Sequence, residues 1–403
     1  MPYERDNISR LTPYTPGEQP QRGRVVKLNT NENPYPPAQA VLDAIAGVSG
    51  EMLRRYPPPS ATGFRETAAR VHGLTPQQVI ATNGGDELLR MAVTVFCEPS
   101  VSRDGDEARG GIAMGEPSYS LYPVLAAIHD TPVTRVPLDD DYGVPEDFAD
   151  KVIDADCRLA LLVNPHAPSG RRESIDKLAR IAAQLRQGRC VLLIDEAYVD
   201  FADGDALPLL QSGGGRSLDN VLLLRTLSKG YSLAGLRFGY GLGHADLIAT
   251  LHKVRDSYNV DILAQSAATA ALEHRDAAKL TWRKVIAQRH RLTDALRQRG
   301  YVVPDSQSNF LLATPESPPA PAGGSSSPPA PAPGSAAPAA RSIYESLKAQ
   351  GIFVRYFDQD RLRDKLRITI GTPQQNDELL TALDAMASSP KSEIRNPQSE
   401  IRS

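Results

Sequence analysis

Three cysteines in 403 residues, Cys97, Cys157 and Cys190, are too few and too widely spaced for a disulfide scaffold. No CxxC pair occurs, which excludes a cysteine-rich zinc module and predicts a reducing compartment. Charge of one sign is also scarce: 45 Lys and Arg against 48 Asp and Glu leave a net charge of -3. So even a balance argues against charge-driven binding to nucleic acid or membranes. No apolar run approaches membrane-spanning length, and the opening MPYERDNISR carries charges where a secretory leader needs apolar residues. The expectation is a soluble, cytoplasmic protein of two or three domains. The seven histidines form no HExxH motif or His/Cys cluster, so no metal site is expected. There is no GxSxG elbow, no Walker sequence, and no GxGxxG after the first strand; Gly239-Tyr-Gly-Leu-Gly243 stands in the wrong context.

What is present is an alternation of short apolar runs with helical text. Candidate strands are 78–81, 111–114, 131–136, 158–163, 190–194 and 221–224, with helices such as 65–71, 87–96 and 175–186 between several of them. Short, nearly all-apolar strands are what a sheet covered on both faces requires, and the alternation predicts a mostly parallel α/β sheet with sites at its strand ends. Residues 1–38 read as an extended arm, and a charged helix over 277–299 leads to a second domain with strand text at 310–313, 351–355 and 366–370. Residues 315–340 hold nine prolines and one charge, and read as a disordered insertion. The tail from 389 repeats Ser-Glu-Ile-Arg and reads as frayed.

Chemistry concentrates in a few segments. An apolar strand runs into Thr226, Ser228 and Lys229, with Arg237 eight residues after the lysine. A lysine just beyond a buried strand loses solvent, which lowers its pKa and frees an amine nucleophile, and hydroxyls and an arginine around it suit a phosphate. Asp195 ends another apolar strand, where a carboxylate needs a cationic partner such as a protonated pyridine nitrogen; capping of the next turn is the plainer alternative. Tyr198 lies in the same turn. Asn83-Gly84-Gly85-Asp86 opens a helix and offers free N–H groups to an anion, although a plain helix start reads the same. Tyr119 suits stacking on a planar cofactor or simple packing. Arg355 and Arg367 suit a bidentate anion clamp or ordinary ion pairs.

Together, Ser228-Lys229…Arg237, Asp195-Glu-Ala-Tyr198 and Asn83-Gly-Gly-Asp86 resemble the fold-type I pyridoxal-phosphate aminotransferases. Leu11-Thr-Pro-Tyr14, Leu28-Asn-Thr-Asn-Glu-Asn-Pro34, Arg55-Tyr-Pro57 and Leu366-Arg-Ile-Thr-Ile-Gly-Thr372 narrow the resemblance to the histidinol-phosphate aminotransferase family, over residues 8–386 apart from the insertion. The resemblance implies a large domain with a mostly parallel seven-stranded sheet over 49–274. It also implies a smaller α+β domain over 275–388, with residues 1–48 as arm and part of that small domain. It implies pyridoxal 5'-phosphate as cofactor, with Lys229 bonded to it, Asp195 on the ring nitrogen, Tyr198 on the phenolic oxygen and Tyr119 stacked on the ring. Gly84, Gly85, Asp86, Thr226, Ser228 and Arg237 would surround its phosphate, joined by Tyr56 from the second subunit of a homodimer. Tyr14, Asn31, Tyr258, Arg355 and Arg367 would bind substrate, the arginines holding the phosphate of histidinol phosphate or a carboxylate of glutamate. Aromatic amino-acid transamination, phospho-amino-acid decarboxylation and a non-catalytic regulatory role are the rival readings. One departure stands out: the family's cofactor-contacting asparagine before Pro-Thr-Gly is replaced here by Ala167, in Asn164-Pro-His-Ala-Pro-Ser-Gly170.

Overall fold

Alternate residues of a strand face opposite sides, so a strand whose every residue is apolar must be covered twice. A computed structural model of the protein, which describes residues 3–12, 17–20, 25–99, 110–211, 218–315 and 339–388, shows this arrangement. Strands β1 (Val79–Thr82), β2 (Ile112–Glu116), β3 (Val133–Pro137), β4 (Leu159–Val163), β5 (Val191–Asp195), β6 (Val221–Thr226) and β7 (Gly239–Gly243) form one sheet in the order β1-β7-β6-β5-β4-β2-β3. The pairs from β6 to β3 are parallel, and β7 runs antiparallel between β1 and β6. Leu159, Leu161, Leu193, Leu222 and Leu224 fill the core on one face, while Ala160, Leu162, Ile194, Val221 and Leu223 fill the core on the other.

The six apolar strands lie within two residues of their expected positions at each end. The seventh does not appear in the sequence reading, because Gly239-Tyr-Gly-Leu-Gly243 has glycine, which weakens a strand interior, at three of five positions. Its glycines answer to close packing. A Cβ on Gly239 would stand 2.6 Å from the carbonyl carbon of Gly84, and one on Gly241 would meet Ile80 and Leu88 at about 3 Å.

A second, four-stranded antiparallel sheet joins Tyr301–Val302, Phe310–Pro315, Leu366–Thr369 and Arg355–Tyr356. The chain reaches it through the helix Arg275–Arg297, whose buried Trp282 donates from Nε1 to the carbonyl of Gly230 at 2.7 Å. The amino-terminal segment contributes Val26–Lys27, which pairs in parallel with Ile352–Phe353. Pro315 ends its strand and Ala339 and Ala340 open the helix Ala339–Ala349, so the two ends of the expected 315–340 insertion are part of regular elements. Residues 316–338, the tail 389–403 and Tyr14 lie outside the described residues. All three cysteines are free, and no helix of the described residues is long and apolar enough to cross a membrane.

Candidate active site

Strand parity decides which side chains reach the site. Asp195 shares a face with Leu193, and Thr226 shares the same face with Leu224, at the carboxyl ends of adjacent parallel strands. Their neighbours Glu196 and Arg225 point to the opposite face, where they form a buried ion pair at 2.8 Å. A cavity of about 530 Å3 opens over Asp195 and Thr226, between the large sheet and the four-stranded one. That volume suits a small molecule or cofactor.

Lys229 reaches into this cavity three residues beyond β6. Its Nζ donates to the carbonyl of Thr30 at 3.0 Å and sits 6.0 Å from the ring centre of Tyr198. Burial lowers its pKa to about 8, with Arg367 pushing the same way and Glu32 opposing. Asp195 is 5 % exposed; burial raises its pKa to about 6, against the bonds from Tyr122 and the Ala197 amide. Its Oδ2 accepts from the Tyr122 hydroxyl at 2.9 Å and its Oδ1 from the Ala197 amide at 3.0 Å. The local-turn reading of Asp195 therefore holds for one oxygen, while the other faces a fully buried tyrosine that the sequence reading assigned no part. Tyr119 meets Tyr122 edge-on at 5.6 Å and donates to Asp86 Oδ1 at 3.4 Å.

The anion cradle is built around Gly84 and Arg237. Gly84 has φ +75, and a Cβ there would lie 2.7 Å from Arg237 Nη2. Only glycine lets the guanidinium lie against the start of the 13-residue helix Gly84–Phe96. Arg237, itself at φ 58, pairs with Asp86 Oδ2 at 3.3 Å. Thr226 Oγ1 donates to Ser228 Oγ at 2.9 Å, and both hydroxyls line the cavity beside Gly85. Amide donors, hydroxyls and an arginine at one helix start are what a phosphate requires.

Across the cavity, Arg355 and Arg367 stand directly opposite each other on neighbouring strands. Like charges in that register destabilise a sheet, so the pair suits an anion that lies between them. Phe357 lies within cation–π reach of both, with the guanidinium carbons of Arg355 and Arg367 at 5.2 and 5.4 Å from its ring centre. Arg367 Nη2 also donates to the Asn29 carbonyl at 2.8 Å.

Asn31 lines the cavity but is 1 % exposed, and its amide bonds Tyr198 and Thr369. Tyr56 and Tyr258 do not reach the cavity of their own chain: they stack on each other at 4.5 Å, and Tyr56 is 81 % exposed. Ala167 places only a methyl group in the cavity wall. Neither polar neighbour substitutes for the missing asparagine. Asn164 Oδ1 accepts from the Glu173 amide at 2.7 Å, and His166 binds Ser169 Oγ at 2.7 Å and the Pro117 carbonyl at 2.8 Å. Burial lowers the His166 pKa to about 4 and keeps it neutral.

The residues fit pyridoxal phosphate: a desolvated amine, a buried carboxylate that needs a cation, and a cradle that a single Cβ would fill. Comparison with known proteins agrees. The aminotransferase class I and II family matches residues 23–383. Histidinol-phosphate aminotransferase 1 of Trichormus variabilis is 41% identical over 382 residues, covering 94% of this chain and 98% of its own. The enzyme of that name from Burkholderia pseudomallei is 40% identical, covering 94% and 98%. Among solved structures, histidinol-phosphate aminotransferase from Sinorhizobium meliloti, in complex with pyridoxal-5'-phosphate, superposes with a TM-score of 0.76 at 25% identity, over 89% of this chain and 91% of that one. On fold, site and sequence, this chain belongs to the aminotransferase class I and II family and stands among its histidinol-phosphate aminotransferases.

Proposed function

We propose that the chain is a pyridoxal-phosphate transaminase that interconverts histidinol phosphate and 2-oxoglutarate with imidazole-acetol phosphate and glutamate, in histidine biosynthesis. The observation that carries this reading is the opposed Arg355 and Arg367 pair facing Lys229 across one cavity. It supplies two cations for a doubly charged phosphate, or for a carboxylate in the second half-reaction. The cofactor, when bound, supplies an electron sink and stores the amino group between half-reactions.

The protein's own part is binding, orientation and proton movement. Lys229 anchors the cofactor through Nζ and then moves the proton at the substrate carbon that bears nitrogen, a task suited to an amine titrating near 8. Asp195 holds a cationic ring nitrogen, Tyr198 bonds the phenolic oxygen and Tyr119 lies against the ring. Gly84, Gly85, Asp86, Thr226, Ser228 and Arg237 surround the phosphate, with Asp86 holding Arg237 in place. Asn31 and Tyr14 complete the substrate side. Residues 49–274 serve as the cofactor-binding domain. Residues 275–388 form the smaller domain, with part of 1–48. The working unit is a homodimer in which the outward-facing Tyr56 and Tyr258 serve the partner's site. Their mutual stack outside their own cavity supports that assignment.

An absorbance spectrum of the purified protein with pyridoxal phosphate tests the reading. A visible band that is absent from Lys229→Ala, and that histidinol phosphate converts to the pyridoxamine form, supports it. Conversion by phenylalanine but not histidinol phosphate would move the assignment to aromatic substrates. Carbon dioxide release without 2-oxoglutarate would indicate a decarboxylase. No band at all would overturn the catalytic reading.

A further inference from the structure

The segment Asn29–Asn31 runs between the two sheets as a strap, and its polar groups bind both sides. On the side of the small sheet, Arg367 Nη2 donates to the Asn29 carbonyl, the Asn31 amide donates to Thr369 Oγ1 at 3.0 Å, and Asn309 Nδ2 donates to the Asn31 carbonyl at 3.0 Å. On the side of the large sheet, the Thr30 carbonyl accepts from Lys229 Nζ and Asn31 Nδ2 donates to the Tyr198 hydroxyl at 3.1 Å. Asn31 holds φ 56, a left-handed backbone that asparagine tolerates better than most residues. Asn31, Thr369 and Asn309 are each at most 2 % exposed, so little water competes for these bonds.

The direction of the bonds follows from donor and acceptor counting. Thr369 Oγ1 accepts the backbone N–H of Asn31 and so has its own hydrogen for Asn31 Oδ1, 3.1 Å away. That fixes which end of the Asn31 amide faces Thr369 and leaves Nδ2 toward Tyr198. The Tyr198 oxygen therefore accepts a bond, which strengthens its hydrogen as a donor.

We propose that Thr369 is a positioning residue for the reacting groups: by fixing the Asn31 amide and the strap, it holds the Tyr198 hydroxyl as a donor and the Thr30 carbonyl against Lys229. It stands two residues after Arg367 on one strand, so the strand that binds substrate anion also sets the amine and the phenol. The inference rests on the proposed roles of Lys229 and Tyr198, and not on the identity of the amino donor.

Thr369→Val keeps the branched shape and removes both bonds, and Thr369→Ser restores them. In cofactor-free protein, competitive acylation with acetic anhydride followed by mass spectrometry reads the pH midpoint of Lys229. Without the Thr30 carbonyl held in place, the ammonium loses a partner, and the midpoint should fall by about half a unit or more. The cofactor-loaded Thr369→Val enzyme should show a shifted pH midpoint of its visible band and kcat down roughly tenfold, as for loss of a bond to a reacting group. KM for the anionic substrate should change less than about twofold, because Arg355 and Arg367 remain. Thr369→Ser should return all of these to wild type. Asn31→Asp, which keeps a residue tolerant of the left-handed backbone but removes the donor to Tyr198, should shift the visible band as Thr369→Val does. Wild-type midpoints for Lys229 and for the band in a folded Thr369→Val protein would overturn the proposal. So would loss of function in Thr369→Val that Thr369→Ser does not rescue. If the wild-type enzyme failed to transaminate histidinol phosphate, the Lys229 midpoints in cofactor-free protein would still decide the role of Thr369.

Discussion

Tyr122→Phe removes one oxygen atom and leaves the ring edge against Tyr119 intact. In the wild-type protein, burial raises Asp195 to about 6, and the Tyr122 bond at 2.9 Å is the largest influence holding it down. A hydrogen bond to a charged group contributes about 1.5–3 kcal/mol. At about 1.4 kcal/mol per pKa unit, its loss moves Asp195 up by roughly one to two units. Near pH 7 the carboxylate is then roughly half to nine-tenths protonated in the variant and largely ionised in the wild type. A neutral acid holds a cationic ring nitrogen poorly, so pyridoxal phosphate should bind roughly two- to tenfold more weakly at pH 7. The deficit should shrink by pH 9, where Asp195 ionises again. Fluorescence titration of cofactor-free protein across pH 6–9 measures this. Folding stability gives an independent reading with a definite sign. Because Asp195 is raised in the folded state, its stabilising contribution is complete below the ordinary carboxylate pKa and is lost as pH rises through about 6. In Tyr122→Phe that loss should extend a unit or two higher. A variant whose affinity and melting curves match wild type at every pH would refute this account of Asp195.

Three further outcomes follow from the geometry. Capture of pyridoxal phosphate by cofactor-free protein, followed by stopped-flow absorbance, should accelerate about tenfold per pH unit below about 8 and level off above it, since the neutral amine of Lys229 reacts. A rate that keeps climbing to pH 10 would mean that Lys229 is not desolvated. Gly84→Ala forces a side chain into the left-handed region and against Arg237, so cofactor affinity should fall by roughly 1–2 kcal/mol, measured by the same fluorescence titration. Unchanged affinity would place the phosphate elsewhere. Arg355→Met relieves the cross-strand repulsion with Arg367, and should raise substrate-free stability by about 0.5 kcal/mol in urea denaturation while raising KM for the phosphorylated substrate at least about tenfold. Stability that falls with no change in KM would make the pair structural.

The fold was legible wherever burial on two faces forced a continuous apolar run, as in Leu159–Val163 and Val221–Thr226. It was illegible at Gly239–Gly243, where the need is absence of side chains against Gly84, Ile80 and Leu88, and that need is set by residues some 150 positions away. The site divides in the same way. Lys229, Asp195 and Arg237 could be singled out because each is an odd residue at a predictable place, the end of a strand or the loop after it. Tyr122 could not, since a tyrosine on a helix reads as packing until its hydroxyl is seen on an aspartate 73 residues later. Thr369 is similar: a threonine in a strand is unremarked until its two bonds to Asn31 appear. Asn31 is expected from the resemblance as a substrate-binding residue; its place on the cavity wall and the partners that orient it come from the structure.

Those same bonds have a meaning for the order in which the chain becomes an enzyme. The carbonyl that holds Lys229 comes from 199 residues earlier, and the hydroxyl that holds Asn31 comes from 338 residues later. Contacts of such long range close late, because loop-closure entropy must be offset before they stabilise anything. A nascent chain that has completed the seven-stranded sheet therefore carries its lysine and its cradle but not the strand that orients the strap between them. Competence arrives when the strand that carries Thr369 meets the segment Asn29–Asn31 beside the cavity.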